Sequence, residues 1–160
     1  MGKIKGIIFI LNLFILSSCS FGFIVNNCEV NENNQYILPY EIMDCQSYDG
    51  ILYPEGNYVF YIDNVDEIDE LVDTKFLVNY DKKILEKKYF KKNKLIYVLF
   101  RNDSYAEGLG KNLNGIYVDE NKIILEYIQT DFLTGLKFQC DLIQIPYMDY
   151  SNYEFVISII

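Results

Sequence analysis

The run from Lys94 to Phe100 constrains the fold more than any other part of the sequence, because six consecutive apolar residues follow the lysine. A run of this length, rich in aromatic and branched side chains, is typical of a central, buried β-strand. The stretch from Asn57 to Ile62 has a similar composition and predicts another strand. Residues 113–118 and 122–128 predict a hairpin, and residues 138–145 and 153–160 predict two final strands.

Two helical segments are predicted between the strand at 57–62 and the strand at 94–100. Asn64 is predicted to be an N-cap, because Glu67 at the third helical position gives the spacing of a capping box. A helix is therefore predicted over 65–73. Apolar residues continue a helical period from Tyr80 to Phe90. The order of strand, helices and four strands predicts an α+β fold with a mainly antiparallel sheet and one or two short helices.

The N-terminus carries the features of an export signal. Lys3 and Lys5 precede a segment from Ile7 to Leu16 that is apolar apart from one asparagine, and small residues follow it. The sequence Leu16-Ser17-Ser18-Cys19 resembles the lipobox of bacterial lipoproteins, in which the cysteine thiol receives a diacylglyceryl group and becomes the new N-terminus. This resemblance predicts a signal peptide over 1–18 and lipid attachment at Cys19.

An uncleaved membrane anchor is the alternative. Ile7 to Val25 is nineteen residues long, close to the roughly 20 that span a bilayer. In either case the rest of the chain is exported and tethered to a membrane. Residues 19–35 are predicted to be the lipidated cysteine and a polar tether, and residues 36–160 a single α+β domain. Because Ser20 is not the aspartate of an inner-membrane retention signal, outer membrane is expected where a cell has two membranes.

Composition narrows the possible chemistry. The chain of 160 residues has no histidine, which excludes Ser-His, Cys-His and His-metal sites. With 14 basic and 23 acidic residues its formal charge is −9, which argues against a nucleic-acid partner. No cofactor, metal or catalytic residue is expected.

Three cysteines remain if Cys19 carries lipid. Cys28 and Cys45 both lie in the loop-rich N-terminal part and form the favoured disulfide, whereas Cys140 is interpreted as a small buried apolar group. The alternative is that all three stay reduced.

Two groups of polar and aromatic side chains suggest functional sites. Tyr147, Asp149, Tyr150 and Tyr153 form an aromatic and acidic stretch that could stack on sugars or anchor a protein partner. The alternative is that these tyrosines pack over the edge of the sheet. Paired carboxylates could instead hydrolyse glycosides, and four acids lie in or near the last strands: Asp131, Asp141, Asp149 and Glu154.

Part of the chain resembles a known family of small exported bacterial domains. The matching residues are Tyr80-Asp81, the run Tyr89-Phe90-Lys91-Lys92-Asn93-Lys94-Leu95-Ile96, and Phe138-Gln139-Cys140-Asp141. They are similar to motifs of the family named for the PrcB protease-complex subunit, over about 100 residues. The chain departs from that family because Arg101 to Lys111 contains only two glycines. The resemblance implies an α+β accessory or binding domain without catalytic residues.

The sequence therefore predicts a membrane-anchored, exported lipoprotein that acts as a non-catalytic binding or assembly module of the cell envelope. Its expected partners are the membrane, through the N-terminal lipid, and an unidentified protein or glycan. The alternatives are an envelope hydrolase with paired carboxylates, and a structural protein that binds partners through a sheet edge at 153–160.

Overall fold

The computed structural model describes residues 29–33, 35–46, 56–73, 77, 79–86, 88–101, 109–133 and 138–160. This part of the chain contains ten strands, one α-helix and two short 3-10 helices. The strands are β1 (Tyr36–Ile37), β2 (Glu41–Met43), β3 (Cys45–Gln46), β4 (Gly56–Ile62), β5 (Asn79–Tyr80), β6 (Asn93–Arg101), β7 (Leu109–Asp119), β8 (Lys122–Leu133), β9 (Phe138–Pro146) and β10 (Glu154–Ile159). The helices are α1 (Val65–Asp73), η1 (Lys82–Leu85) and η2 (Tyr89–Lys91). The predicted signal segment, Cys19 and Cys28 lie outside the described residues.

Eight of the strands form two four-stranded sheets that pack face to face. The outer sheet has the order β1-β7-β8-β10, and the central sheet has the order β2-β9-β6-β4. Neighbouring strands are antiparallel except β8 and β10, which run parallel. Strands β3 and β5 form a separate two-stranded ribbon. The predicted α+β class with a mainly antiparallel sheet is therefore confirmed.

Strand β6 lies in the middle of the central sheet and is buried on both faces. Leu95, Tyr97 and Leu99 pack towards α1 and the 3-10 helices, and the residues between them pack towards the outer sheet. All six side chains from 95 to 100 are fully buried. The continuous apolar run thus reflects a strand with a hydrophobic layer on each side, because successive side chains of a strand point to opposite faces.

Helix α1 begins with the predicted cap. The Asn64 side-chain oxygen accepts the backbone N–H of Glu67 at 3.2 Å, and the Glu67 carboxylate accepts the N–H of Asp63 at 2.7 Å. The reciprocal bond of this capping box therefore reaches one residue beyond the N-cap. Ile68 and Leu71 are buried in the core shared with the central sheet.

The second predicted helix is wrong. Tyr80 belongs to β5, and the residues after it form the two 3-10 helices η1 and η2 with a break between them. Asp81 caps η1 by accepting the N–H of Lys83. Ile84 and Tyr89 are buried in the core as the apolar spacing requires, but short turns place them there without a continuous helix.

The N-terminal part is more ordered than its polar composition suggests. Ile37 donates its backbone N–H to the Glu29 carbonyl at 2.9 Å, and Val30 forms an isolated bridge with Tyr36. The folded unit therefore includes residues at the end of the predicted tether. Strands β1, β2 and β3 contain only two or three residues each. Strands β1 and β2 are added to the longer strands β7 and β9, whereas β3 pairs with the equally short β5.

Candidate binding surface

The connection between β9 and β10 crosses from the central sheet to the outer sheet and contains all four residues of the predicted binding surface. Tyr147 is 54% exposed and Asp149 is exposed, whereas Tyr153 is half-buried. Tyr150 is only 2% exposed. The structure thus divides the predicted set into two surface residues, one marginal residue and one core residue.

Tyr150 is unavailable to a partner. Its hydroxyl donates to the Pro146 carbonyl at 3.0 Å, and its ring lies 5.6 Å from the Tyr61 ring in an edge-on arrangement. Burial raises the pKa of Tyr150, so its hydroxyl stays protonated and keeps this hydrogen bond. The prediction that Tyr150 contributes to a binding surface is therefore wrong, because a closed connection between two sheets requires a large apolar side chain beneath it.

Tyr147 covers a lysine that is nearly buried. The Lys94 ammonium lies 4.9 Å from the centre of the Tyr147 ring, within the range of a cation–π interaction. The same ammonium donates to the Asp63 carbonyl at 3.1 Å and lies 4.0 Å from the Asp63 carboxylate. Because only 11% of the Lys94 side chain is exposed, its charge is held below the surface by these neighbours.

Asp149 is held in a local turn beside this lysine. Its carboxylate accepts the backbone N–H of Ser151 at 3.0 Å. Hydrogen bonds from Ser151, and the positive charge of Lys94, lower the pKa of Asp149. The carboxylate is therefore ionised and fixed in position, but it remains fully accessible to solvent.

Tyr61 of β4 also lies beside these residues, although the sequence around it indicated only a strand. Its ring stacks on Phe155 of β10 at 5.2 Å with an interplanar angle of 17°. Burial raises the pKa of Tyr61, and the nearby acids Asp63, Glu67 and Asp149 raise it further. The phenol stays neutral at ordinary pH and can donate a hydrogen bond.

We call this set the Tyr147 surface: Tyr61, Asp63, Lys94, Tyr147 and Asp149. It combines an exposed aromatic ring, two carboxylates and a neutral phenol with a lysine that already has partners. Such a set suits stacking on the exposed ring and hydrogen bonding to its carboxylates. Lys94 and Tyr61 lie in strands, and their contribution depends on how the β9–β10 connection folds over them.

The acids of the alternative hydrolase hypothesis lie in different parts of the two sheets and their connection. Asp141, in the middle of β9, faces the Tyr127 hydroxyl between the two sheets, although no hydrogen bond of ordinary geometry joins them. Glu154 pairs with the start of β8 at Lys122, five strand residues before Tyr127, which corresponds to about 17 Å. Asp149 is exposed beyond the end of β9. The side chain of Asp131 lies outside the described residues.

One cleft in the described part of the chain lies beside β2, and its shape is unlike that of an enclosed catalytic pocket. It is an open depression of about 200 Å³ between β2 and η1, and it is smaller than typical ligand sites. Its lining includes Glu41, Asp44 and Asp81, the last paired with Lys83 at 3.4 Å. Among the described residues no group of three or more acids or cysteines could hold a metal ion.

Strand β10 lies at one edge of the outer sheet, with β8 as its neighbour. Its middle residues, from Phe155 to Ser158, are half-buried, and Phe155 is covered by Tyr61 of β4. Glu154 is its single charged residue.

Two cysteines lie in contact in the described part of the chain. Cys45 lies against Cys140, with 3.3 Å between the two sulfur atoms. Cys28, its expected partner, lies outside the described residues.

Comparison with protein-family models, curated proteins and solved structures finds no match for this chain. No helix in the described ranges is long and apolar enough to cross a membrane.

Proposed function

We propose that this protein is an exported lipoprotein, anchored to a membrane through Cys19, that serves as a non-catalytic binding or assembly module of the cell envelope. The anchor rests on the order of Lys3 and Lys5, the apolar segment and Leu16-Ser17-Ser18-Cys19. The outer membrane is the proposed location where a cell has two. A stable anchor needs more than one acyl chain, and a diacylglyceryl cysteine supplies two.

The Tyr147 surface is the observation that carries the binding role. Its exposed tyrosine is fixed at the backbone, where the Tyr147 N–H donates to the Lys92 carbonyl at 2.9 Å. A tyrosine whose backbone is already ordered loses less conformational freedom when a partner covers it, which favours affinity. The partner is a protein segment or a glycan that stacks on Tyr147 and donates hydrogen bonds to the carboxylate of Asp149.

The resemblance to the PrcB-like accessory family belongs to the same proposal. The residues that carry it hold the core together: the Tyr89 hydroxyl donates to the Gln144 side chain at 2.7 Å, and Cys140 lies against Cys45. Because these residues hold the core of the chain, the resemblance concerns an α+β accessory domain and does not point to a particular partner.

Lipid attachment is tested by metabolic labelling of the full chain with [³H]palmitate. The wild-type protein and Cys28→Ala are expected to incorporate label and to stay in the membrane fraction. Cys19→Ala is expected to lose the label, because the serines before it offer no thiol for thioether formation. Cys28→Ala is the matched control, since it removes a cysteine only nine residues away.

Two results would count against lipidation. Label in Cys19→Ala would place the acyl groups elsewhere. A wild-type protein that is membrane-bound but unlabelled would favour the uncleaved helix from Ile7 to Val25.

The binding role is tested by photo-crosslinking in intact cells. Benzoylphenylalanine in place of Tyr147 is expected to give discrete protein adducts, or a ladder if the partner is a glycan polymer. The same probe in place of Tyr40, another exposed tyrosine, is the control and is expected to give at least fivefold less adduct. Asp149→Asn in the probe-bearing chain is expected to reduce the yield, because the partner loses a charged hydrogen-bond acceptor. Equal yields at positions 40 and 147 would show that the Tyr147 surface has no specific partner.

A further inference from the structure

Cys45 and Cys140 come together although they are 95 residues apart in the chain. Cys140 lies on β9 and pairs with Leu99 of β6. Cys45 lies on β3, whose hydrogen bonds go to β5 rather than to β9. The contact between the two sulfur atoms is thus a contact between the small ribbon and the central sheet.

The strand register explains why the two side chains meet. Strand β2 pairs antiparallel with β9, and its last pair is Met43 with Leu142. The ladder of β2 and β9 ends at that pair, but its register continued by two residues in each strand directs Cys45 towards Cys140, whose sulfur atoms are 3.3 Å apart. Directly opposed residues of antiparallel strands have Cα atoms about 4.5–5.5 Å apart, which falls within the range of about 4.4–6.8 Å found in disulfides.

The surroundings also favour a covalent link. Both cysteines are partly buried against the core that contains Leu99 and Leu142. The sulfur separation of 3.3 Å exceeds the length of a disulfide bond by only about 1.3 Å. The ribbon itself has two residue pairs, and a two-stranded ribbon of that size is marginal without further support.

We propose that Cys45 and Cys140 form the internal disulfide of this protein, in place of the expected pair Cys28 and Cys45. The thiolate of one cysteine attacks a disulfide donor R–S–S–R, such as an exported thiol–disulfide oxidoreductase or oxidised glutathione, and releases one R–SH. The other cysteine then attacks this mixed disulfide and releases the second R–SH. Two electrons pass to the donor, and the two thiol protons are accounted for in the two R–SH molecules.

The disulfide is expected to form while the chain folds, before the two thiols are buried. The neighbouring Cys140 thiol and burial raise the pKa of the Cys45 thiol, so little thiolate is present once the core has closed. The same burial protects the finished bond from exchange. The presence of the bond in cells rests on the proposed export, whereas the pairing itself does not.

The pairing is tested on the full chain purified in detergent. The protein is unfolded with reductant, refolded in a glutathione redox buffer and alkylated with iodoacetamide. Cleavage after glutamate, at Glu32 and Glu41, separates Cys28 from Cys45, which trypsin does not do because residues 6–74 contain no lysine or arginine. Mass spectrometry is expected to find a peptide that links Cys45 to Cys140 and to find Cys28 alkylated.

Stability provides a second measurement in the same protein. Addition of a reductant is expected to lower the melting temperature of the wild type and of Cys28→Ser by about 10 °C, since the bond closes a very long loop. The same addition is expected to leave Cys45→Ser and Cys140→Ser unchanged. If either of these variants fails to fold, the effect of the reductant on the wild type still decides the question.

The outcomes separate this proposal from the proposed export. Complete alkylation of Cys45 and Cys140 after oxidative refolding, or a peptide linking Cys28 to Cys45, would overturn the pairing. A linked peptide in vitro, together with alkylated cysteines in acid-quenched cells, would support the pairing and overturn export to an oxidising compartment.

Discussion

Replacement of Phe100 by alanine is expected to lower the free energy of unfolding by about 3–5 kcal/mol, the range for truncation of a buried phenylalanine. Phe100 is fully buried between the two sheets. Its ring meets Tyr127 edge-on at 4.7 Å, and the Lys111 ammonium lies 4.8 Å from its centre. Alanine would remove these contacts and leave a cavity that the paired strands on either side cannot fill.

Urea denaturation followed by circular dichroism measures this loss. Phe100→Leu, which keeps most of the volume, is expected to cost less than half as much. Tyr147→Ala removes an exposed ring and is expected to cost under about 1 kcal/mol. A loss at Phe100→Ala no larger than that at Tyr147→Ala would contradict the central position of β6.

Replacement of Asp141 by asparagine is expected to stabilise the protein at pH 7.5 by roughly 1–3 kcal/mol, the range for a buried polar group without full compensation. Burial raises the pKa of Asp141, and the facing Tyr127 hydroxyl opposes this rise only in part. The unfolded chain therefore loses this proton at a lower pH than the folded protein. Protonated Asp141 therefore stabilises the fold fully at pH values below the pKa of this carboxyl in the unfolded chain. This stabilisation is lost as the pH rises towards its pKa in the folded protein.

Unfolding curves of the wild type and Asp141→Asn at pH 3.5 and 7.5 test this sign. The two proteins are expected to differ little at the lower pH and most at the higher pH. Asp44→Asn, at an exposed position, is expected to change stability by less than about 0.5 kcal/mol at either pH. A constant difference between wild type and Asp141→Asn, or a destabilised variant at pH 7.5, would contradict a raised pKa.

The long strands and the helix were predictable because each has a local signal. Alternating or continuous apolar residues mark β4, β6, β8 and β9, and the cap at Asn64 marks the start of α1. The division of the strands into two sheets has no such signal. It depends on pairings between distant residues, such as Tyr36 with Val118 in the outer sheet. The parallel addition of β10 to β8, rather than to the preceding strand, is likewise a property of the whole fold.

The candidate site was predictable only in part. A cluster of tyrosines and acids at 147–153 indicated which segment forms the surface. Spacing alone did not distinguish the exposed Tyr147 from the buried Tyr150, because their burial depends on the tertiary structure. Lys94 could be recognised as the one charge that opens an apolar run, yet its contact with Tyr147 follows from tertiary structure. The contact between the two cysteines has no local signal either: proximity in sequence favoured Cys28 as the partner of Cys45, whereas the structure places Cys140 beside Cys45.

The central position of β6 also bears on how the chain reaches its folded state. Glu41 of β2 is hydrogen-bonded to Gln144 of β9, which lies 103 residues further along the chain. Strand β6 likewise pairs with β9, which is synthesised after it. Folds built on such distant pairings form slowly, on the scale of milliseconds to seconds. During synthesis, which begins at the N-terminus, Leu95 to Phe100 are exposed before β7, β8 and β9 have been made. During that interval these six residues, which later lie in the core, are exposed and favour aggregation, so this is the stage at which a holding factor protects the growing chain most.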